Sequence, residues 1–114
     1  MQYRLLGRTG FKISEISLGT WQVGGKWGAS FEHSLADKIL NTAVDQGVNF
    51  IDTADVYSNG ESEKAVGRLI RSRTERIYVA TKCGRFINPH NNENYTPKVP
   101  VSYTHLTLPT TPYV

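Results

Sequence analysis

Three side chains of complementary chemistry follow short strand-forming runs. Asp52 closes Val48-Asn49-Phe50-Ile51-Asp52, Tyr57 stands five residues further on in the same loop, and Lys82 comes directly after Ile77–Thr81. In a parallel α/β protein the ends of successive strands open onto one face, and that face is where ligands bind. A free phenol loses its proton near a pKa of about 10, and a neighbouring ammonium favours the phenolate. With Lys82 in that neighbouring place, and Asp52 orienting it and balancing its charge, Tyr57 becomes a general acid. Such an acid protonates a carbonyl oxygen while a hydride reaches the carbon, so the chemistry is reduction. The same residues also admit plain structural roles. Asp52 can cap the turn that follows it, Tyr57 can be a surface aromatic, and Lys82 can be a solvated charge. Spacing leaves both readings open.

The other reactive side chains make weaker cases. His33 stands just before a helix and reads as a solvated or capping residue, and with no second ligand at ligand spacing no metal site is expected. His90 falls in the loop after the third core strand and His105 in the C-terminal segment, and neither is assigned a catalytic role. Cys83 is the single cysteine and reads as a buried thiol at a strand end, with no function of its own. Glu61 and Glu63 read as charges at a helix N-terminus, with a structural role.

The elements that must position these groups are legible from pattern. Tyr3–Leu6 and Phe11–Ser14 are β-prone and separated by Gly7-Arg8-Thr9-Gly10, which predicts an N-terminal hairpin. Ile16–Thr20 predicts the first core strand, and the glycine-rich stretch Trp21–Ala29 a flexible loop after it. Ser34–Gln46 repeats apolar residues at helical spacing, with Ser34 as N-cap and Gly47 as stop. Val48–Asp52 predicts a second strand, Glu61–Arg71 a second helix with acids first and bases last, and Ile77–Thr81 a third strand buried on both faces. Two alternations of strand and helix with short connections predict βαβ units on a parallel sheet, in a barrel or an open sheet. Gly84–Val99 turns polar and reads as a long loop on the active-site face.

Bulk properties bound the remaining possibilities. The 114 residues suffice for one small domain and fall short of a whole enzyme barrel, and 39% hydrophobic with 20% charged residues argues against wholesale disorder. A net charge of +3 is spread along the chain and interleaved with acids, so nucleic acid is not an expected partner. One cysteine excludes an internal disulfide framework and fits a reducing compartment, with the cytoplasm as the expected location. The N-terminus lacks the apolar stretch of a signal peptide, and no run is long and apolar enough to span a bilayer, so a membrane is not an expected partner either.

Gly47-Val48-Asn49-Phe50-Ile51-Asp52-Thr53-Ala54, followed by Tyr57 and by Glu63-Lys64-Ala65-Val66-Gly67, closely resembles a signature of the aldo-keto reductase superfamily. Leu5–Gly10 and Leu18-Gly19-Thr20-Trp21 resemble that family's opening. The resemblance covers essentially residues 1–100, across several elements, and is more specific than any single glycine pattern. It implies an α/β fold: the N-terminal part of a (β/α)₈ TIM barrel with a β-hairpin over the barrel floor, truncated after about three strands. It also implies NADPH as hydride donor and a catalytic tetrad of Asp, Tyr, Lys and His. Three members are matched, with Tyr57 as general acid, Lys82 as the residue that lowers its pKa and Asp52 as the partner of Lys82. The histidine, expected after the next strand, has no counterpart. Gly19, Thr20 and Trp21 carry over as cofactor-proximal beside Asp52; for Trp21 a packing role stands equally open.

Residues 101–114 depart from this pattern. They contain no Asp, Glu, Lys or Arg, and Val101-Ser102-Tyr103-Thr104-His105-Leu106-Thr107-Leu108-Pro109-Thr110 resembles a translated sequencing-library adaptor. The expectation is an N-terminal portion of a barrel at 1–100 with a foreign tail at 101–114. The implied function is NADPH-dependent reduction of a small aldehyde or ketone to an alcohol by a full-length parent, with this shorter product inactive. The competing function is a non-catalytic, nucleotide-binding regulatory subunit, as in channel-associated members of the family; keeping Asp52, Tyr57 and Lys82 together argues against it.

Overall fold

A computed structural model of the chain describes residues 1–85 and 91–96. Residues 86–90, with His90, and 97–99 of the Gly84–Val99 loop, and the 101–114 tail with His105, lie outside the described residues. Strands β1 (Tyr3–Leu5) and β2 (Lys12–Ser14) pair antiparallel, with Tyr3 opposite Ser14 and Leu5 opposite Lys12. Strands β3 (Leu18–Gly19), β4 (Phe50–Asp52) and β5 (Tyr78–Ala80) form a parallel sheet in sequential order. Helix α1 (His33–Asp45) joins the first two of these strands, and α2 (Glu61–Ser72) joins the second pair. Both predicted βαβ units are therefore present.

The two helices share one core. Ala36, Leu40 and Val44 repeat every four residues down α1, so they line up on one face, and α2 turns Ala65, Val66 and Leu69 toward them. Ile51 of β4 and Val23 complete the buried cluster, with Ile77 and Val79 packed at its margin. On its outer side the helix pair is tied by Arg68 to Asp37 at 3.0 Å and by Arg73 to Asp45 at 2.7 Å. Helices that pack side by side over strands in sequential order make a wall that curves one way, as in a barrel; a doubly wound sheet sends its helices to both faces. Leu40 is fully buried at the centre of this small core. Leu40→Ala is expected to cost about 2–5 kcal/mol, read as a lower urea midpoint with unchanged slope.

Three local expectations are corrected, and a fourth holds. The residue capping α1 is Glu32 and makes no side-chain hydrogen bond, so the helix starts one residue before Ser34 rather than after it. Gly47 does stop α1: at φ 97° it takes a left-handed conformation that a side chain would resist, and it reverses the chain into β4. The first core strand shrinks from Ile16–Thr20 to Leu18–Gly19, because only those residues find ladder partners, at Ile51 and Asp52. Strand β5 is half-buried on every residue instead of buried on both faces, since it pairs with β4 alone among the described residues.

The hairpin is sutured to the N-terminal ends of the parallel strands. Asn49, just ahead of β4, accepts from the Ser14 amide at 2.6 Å on its side-chain oxygen, donates its backbone amide to the Ser14 hydroxyl oxygen at 3.1 Å, and donates its side-chain amide to the Lys12 carbonyl. Tyr3 donates its hydroxyl to the Gly47 carbonyl at 2.8 Å, and Phe11 stacks on Tyr78 at 4.6 Å. The hairpin thus closes one end of the sheet, and the opposite end, where β3, β4 and β5 finish, is left for ligands.

Candidate active site

Each predicted side chain arrives at that open end on a different support. Asp52 is the last residue of β4 and pairs with Gly19 of β3 on one side and Ala80 of β5 on the other, so its backbone is held from both. Lys82 lies two residues beyond β5, and its carbonyl accepts from the amide of Asp55 at 3.0 Å, which ties the two strand-end loops together. Tyr57 opens a tight turn, Tyr57–Gly60, in which Ser58 (φ 48°) and Asn59 (φ 56°) are both left-handed and Gly60 follows at φ 90°. Asparagine takes that conformation readily, whereas Ser58 is held in it by the surrounding fold.

The three groups come together. Lys82 Nζ donates to Asp52 Oδ1 at 2.7 Å and to the Thr53 carbonyl at 2.8 Å, and it sits 5.1 Å from the centre of the Tyr57 ring. Desolvation by itself pushes the Lys82 ammonium down, but hydrogen bonds to Asp52 and Tyr57 outweigh it and hold the pKa above the ordinary 10.5. Because the folded value lies above the unfolded one, the ion pair's stabilising contribution is complete below about pH 10 and is lost as pH rises through the folded value. The advantage of the natural chain over Lys82→Met in urea unfolding is therefore expected to stay flat from neutral pH and to shrink beyond pH 10.5.

Thr20 and Glu63 brace this arrangement from behind. Thr20 is fully buried; its amide and hydroxyl both donate to the Asp52 carbonyl, at 3.0 and 3.1 Å, and its own carbonyl accepts from Ser62. Its neighbours differ: Gly19 and Trp21 are exposed, and the Trp21 indole meets Trp27 edge-on at 5.5 Å. Glu63 is also fully buried, and its carboxylate accepts from the Thr81 hydroxyl at 2.5 Å, next to Lys82. Reading Glu63 as a helix-terminal charge missed this. The signal was present in the spacing, which puts Glu63 three residues before Val66 on the buried face of α2. Glu61 stays at the helix start, 3.1 Å from Lys64 and 3.9 Å from His33.

Beside the phenol lies an open cavity of about 980 Å³, walled by Trp21, Trp27, Phe31, Val56 and Tyr57. Its volume and mainly apolar walls with a few polar groups are those of a small-molecule site. The glycine-rich loop that was expected only to be flexible supplies most of this wall. It is fixed at its base, where the Phe31 ring covers Gly24 so closely that a Cβ would lie 2.1 Å from it. Among the described residues no group of three or more His, Cys, Asp or Glu side chains is placed to hold a metal ion. No helix among them is long and apolar enough to cross a membrane.

A strand-end carboxylate, an ammonium, a phenol and exposed apolar wall suit the nicotinamide end of a dinucleotide, whose polar ring substituents and ribose need hydrogen-bond partners beside a flat surface. The fold is that of a parallel α/β protein of barrel type, and the candidate site lies at the C-terminal ends of its strands. Comparison with known proteins sharpens this. A sequence model of the Aldo/keto reductase family matches residues 15–108, and the chain belongs to that family. Aldo-keto reductase YhdN of Bacillus subtilis is 40% identical over 85 residues, covering 72% of this chain and 25% of its own. A probable voltage-gated potassium channel subunit beta of Arabidopsis thaliana is also 40% identical over 85 residues, with the same coverage. Among solved structures, the aldo-keto reductase AKR11C1 from Bacillus halodurans, in its holo form, superposes with a TM-score of 0.65 at 30% identity, covering 78% of this chain and 28% of its own. The fold is accordingly part of the (β/α)₈ barrel, and the chain spans about a quarter of the length of the curated relatives it matches. The family match runs through Val101–Leu108, into the segment whose wording resembles an adaptor.

Proposed function

We propose that the whole protein is an NADPH-dependent reductase that converts a small aldehyde or ketone to the alcohol, and that it works in the cytoplasm. The observation that carries this is the contact of Lys82 with Asp52 at 2.7 Å and with the Tyr57 ring at 5.1 Å, at the ends of adjacent parallel strands. Tyr57 donates its proton to the carbonyl oxygen as that oxygen gains charge. Lys82 stabilises the phenolate left behind, and Asp52 keeps the ammonium in place and balances it. Gly19, Thr20 and Trp21 form the segment beside the nicotinamide with Asp52, and Thr20 acts by fixing the position of its two neighbours. The nicotinamide, when bound, supplies the hydride.

Residues 1–100 contribute the first three strands of the barrel in this reading, and the histidine of the tetrad comes from the strand after them. The competing role, a non-catalytic regulatory subunit that binds nucleotide, gains weight from the likeness to the Arabidopsis channel subunit. Retention of all three groups, with Lys82 in contact with both Asp52 and Tyr57, favours the enzyme. The test is aldehyde-dependent loss of reduced-nicotinamide absorbance with the protein encoded by the whole gene, run with NADPH and with NADH. Faster loss with NADPH is expected; NADPH binding with no aldehyde-dependent loss contradicts the proposal and supports the regulatory role.

A further inference from the structure

The cavity beside Tyr57 carries a charge pattern that the proton-transfer groups do not use. Besides its aromatic walls it is lined by Lys26 and Arg85, and no aspartate or glutamate lines it. These two cations come from separate elements: Lys26 from the loop after β3, Arg85 from the segment after β5, so they approach the cavity from two sides of the sheet end. Lys26 makes no ion pair among the described residues. Gln22 and Asn59 add neutral amides to the same lining. A cavity whose ionised groups share one sign concentrates ligands of the opposite sign, and its low-dielectric aromatic walls strengthen that attraction.

Resting on the reductase reading, we infer that the carbonyl substrate carries a carboxylate on a flat apolar body. The body packs against the wall made by Trp21, Trp27 and Phe31, the carbonyl faces Tyr57, and the carboxylate is held by Lys26 and Arg85. A neutral aldehyde of the same shape forgoes the charge contacts and leaves both cations as they are.

The chain itself reports on this site, because its 2 tryptophans both line the cavity. Tryptophan fluorescence of the whole chain is titrated with 4-carboxybenzaldehyde and with 4-methylbenzaldehyde, in the natural sequence and in a Lys26→Gln, Arg85→Gln double variant. Both substituted residues are exposed, so the variant is expected to keep the fold. The carboxylate compound should bind about tenfold more tightly than the methyl compound to the natural chain, at the favourable end for two partly exposed ion pairs. That preference should weaken with salt and vanish in the double variant. Equal binding of the two aldehydes by the natural chain, or a preference that survives the double substitution, overturns the inference. Turnover of the same pair by the protein of the whole gene separates the two claims. Reduction of both aldehydes with equal KM sinks the charge assignment and leaves the reductase standing, whereas carboxylate-selective binding without reduction does the reverse.

Discussion

Tyr57→Phe is expected to lower carbonyl-reducing turnover of the whole protein by about 10²–10⁴-fold while NADPH affinity changes by less than about twofold. The substitution removes one oxygen. The ring keeps its place in the cavity wall and its position against the Lys82 ammonium, so the pocket and the ion pair behind it persist. Only the proton for the nascent alkoxide is lost, and a loss of this size corresponds to about 3–5 kcal/mol in the barrier. Steady-state kinetics with a simple aldehyde, paired with a nucleotide titration, checks both halves. Undiminished turnover would remove Tyr57 from the mechanism, and a matching collapse of nucleotide affinity would show that the change damaged the site.

Lys82→Met carries the second large effect, and its interest lies in separating rate from stability. Lys82 and Asp52 are 52% and 44% exposed, and ion pairs in that setting contribute about 0–1 kcal/mol to folding. Turnover is another matter, because in the proposed reaction the ammonium stands beside the group that becomes an anion. The expected result is a fall of about 10²–10³-fold in kcat with KM altered little, since charge stabilisation at the phenol belongs to the transition state. A variant equally slow but also strongly destabilised would point to a structural role for the lysine. A variant as fast as the natural protein would show that the phenol needs no cation.

Much of this candidate site is legible in the sequence, and the reason is chemical periodicity. Strand-forming runs ending in Asp52 and just ahead of Lys82 place those residues at the same end of a parallel sheet, and the 2.7 Å contact follows from that register. The hairpin was equally plain in its glycines, and its attachment to the far end of the sheet was implied only by the family resemblance. What was missed depends on long-range packing. Glu63 reads as a helix-terminal acid until Thr81 comes within 2.5 Å of it, and Ser34 reads as a cap although the chain enters α1 one residue sooner. The half-burial of Ile77–Ala80 could not be read from an apolar run, because burial of a strand depends on what pairs with its far edge. The cavity was hidden for a similar reason: glycine-rich Trp21–Ala29 looks only mobile, and its aromatic wall exists because Phe31 closes down on Gly24.

The central claim is direct hydride transfer to a carbonyl carbon with the proton supplied through Tyr57. It is tested most directly by incubating the protein of the whole gene with an aldehyde and NADPH carrying deuterium at the transferable position of the nicotinamide, then locating the label in the alcohol. The account predicts one deuterium on the carbinol carbon for each NADPH consumed, with the hydroxyl hydrogen drawn from water. Label released to solvent, or NADPH consumed without any labelled alcohol, would contradict it.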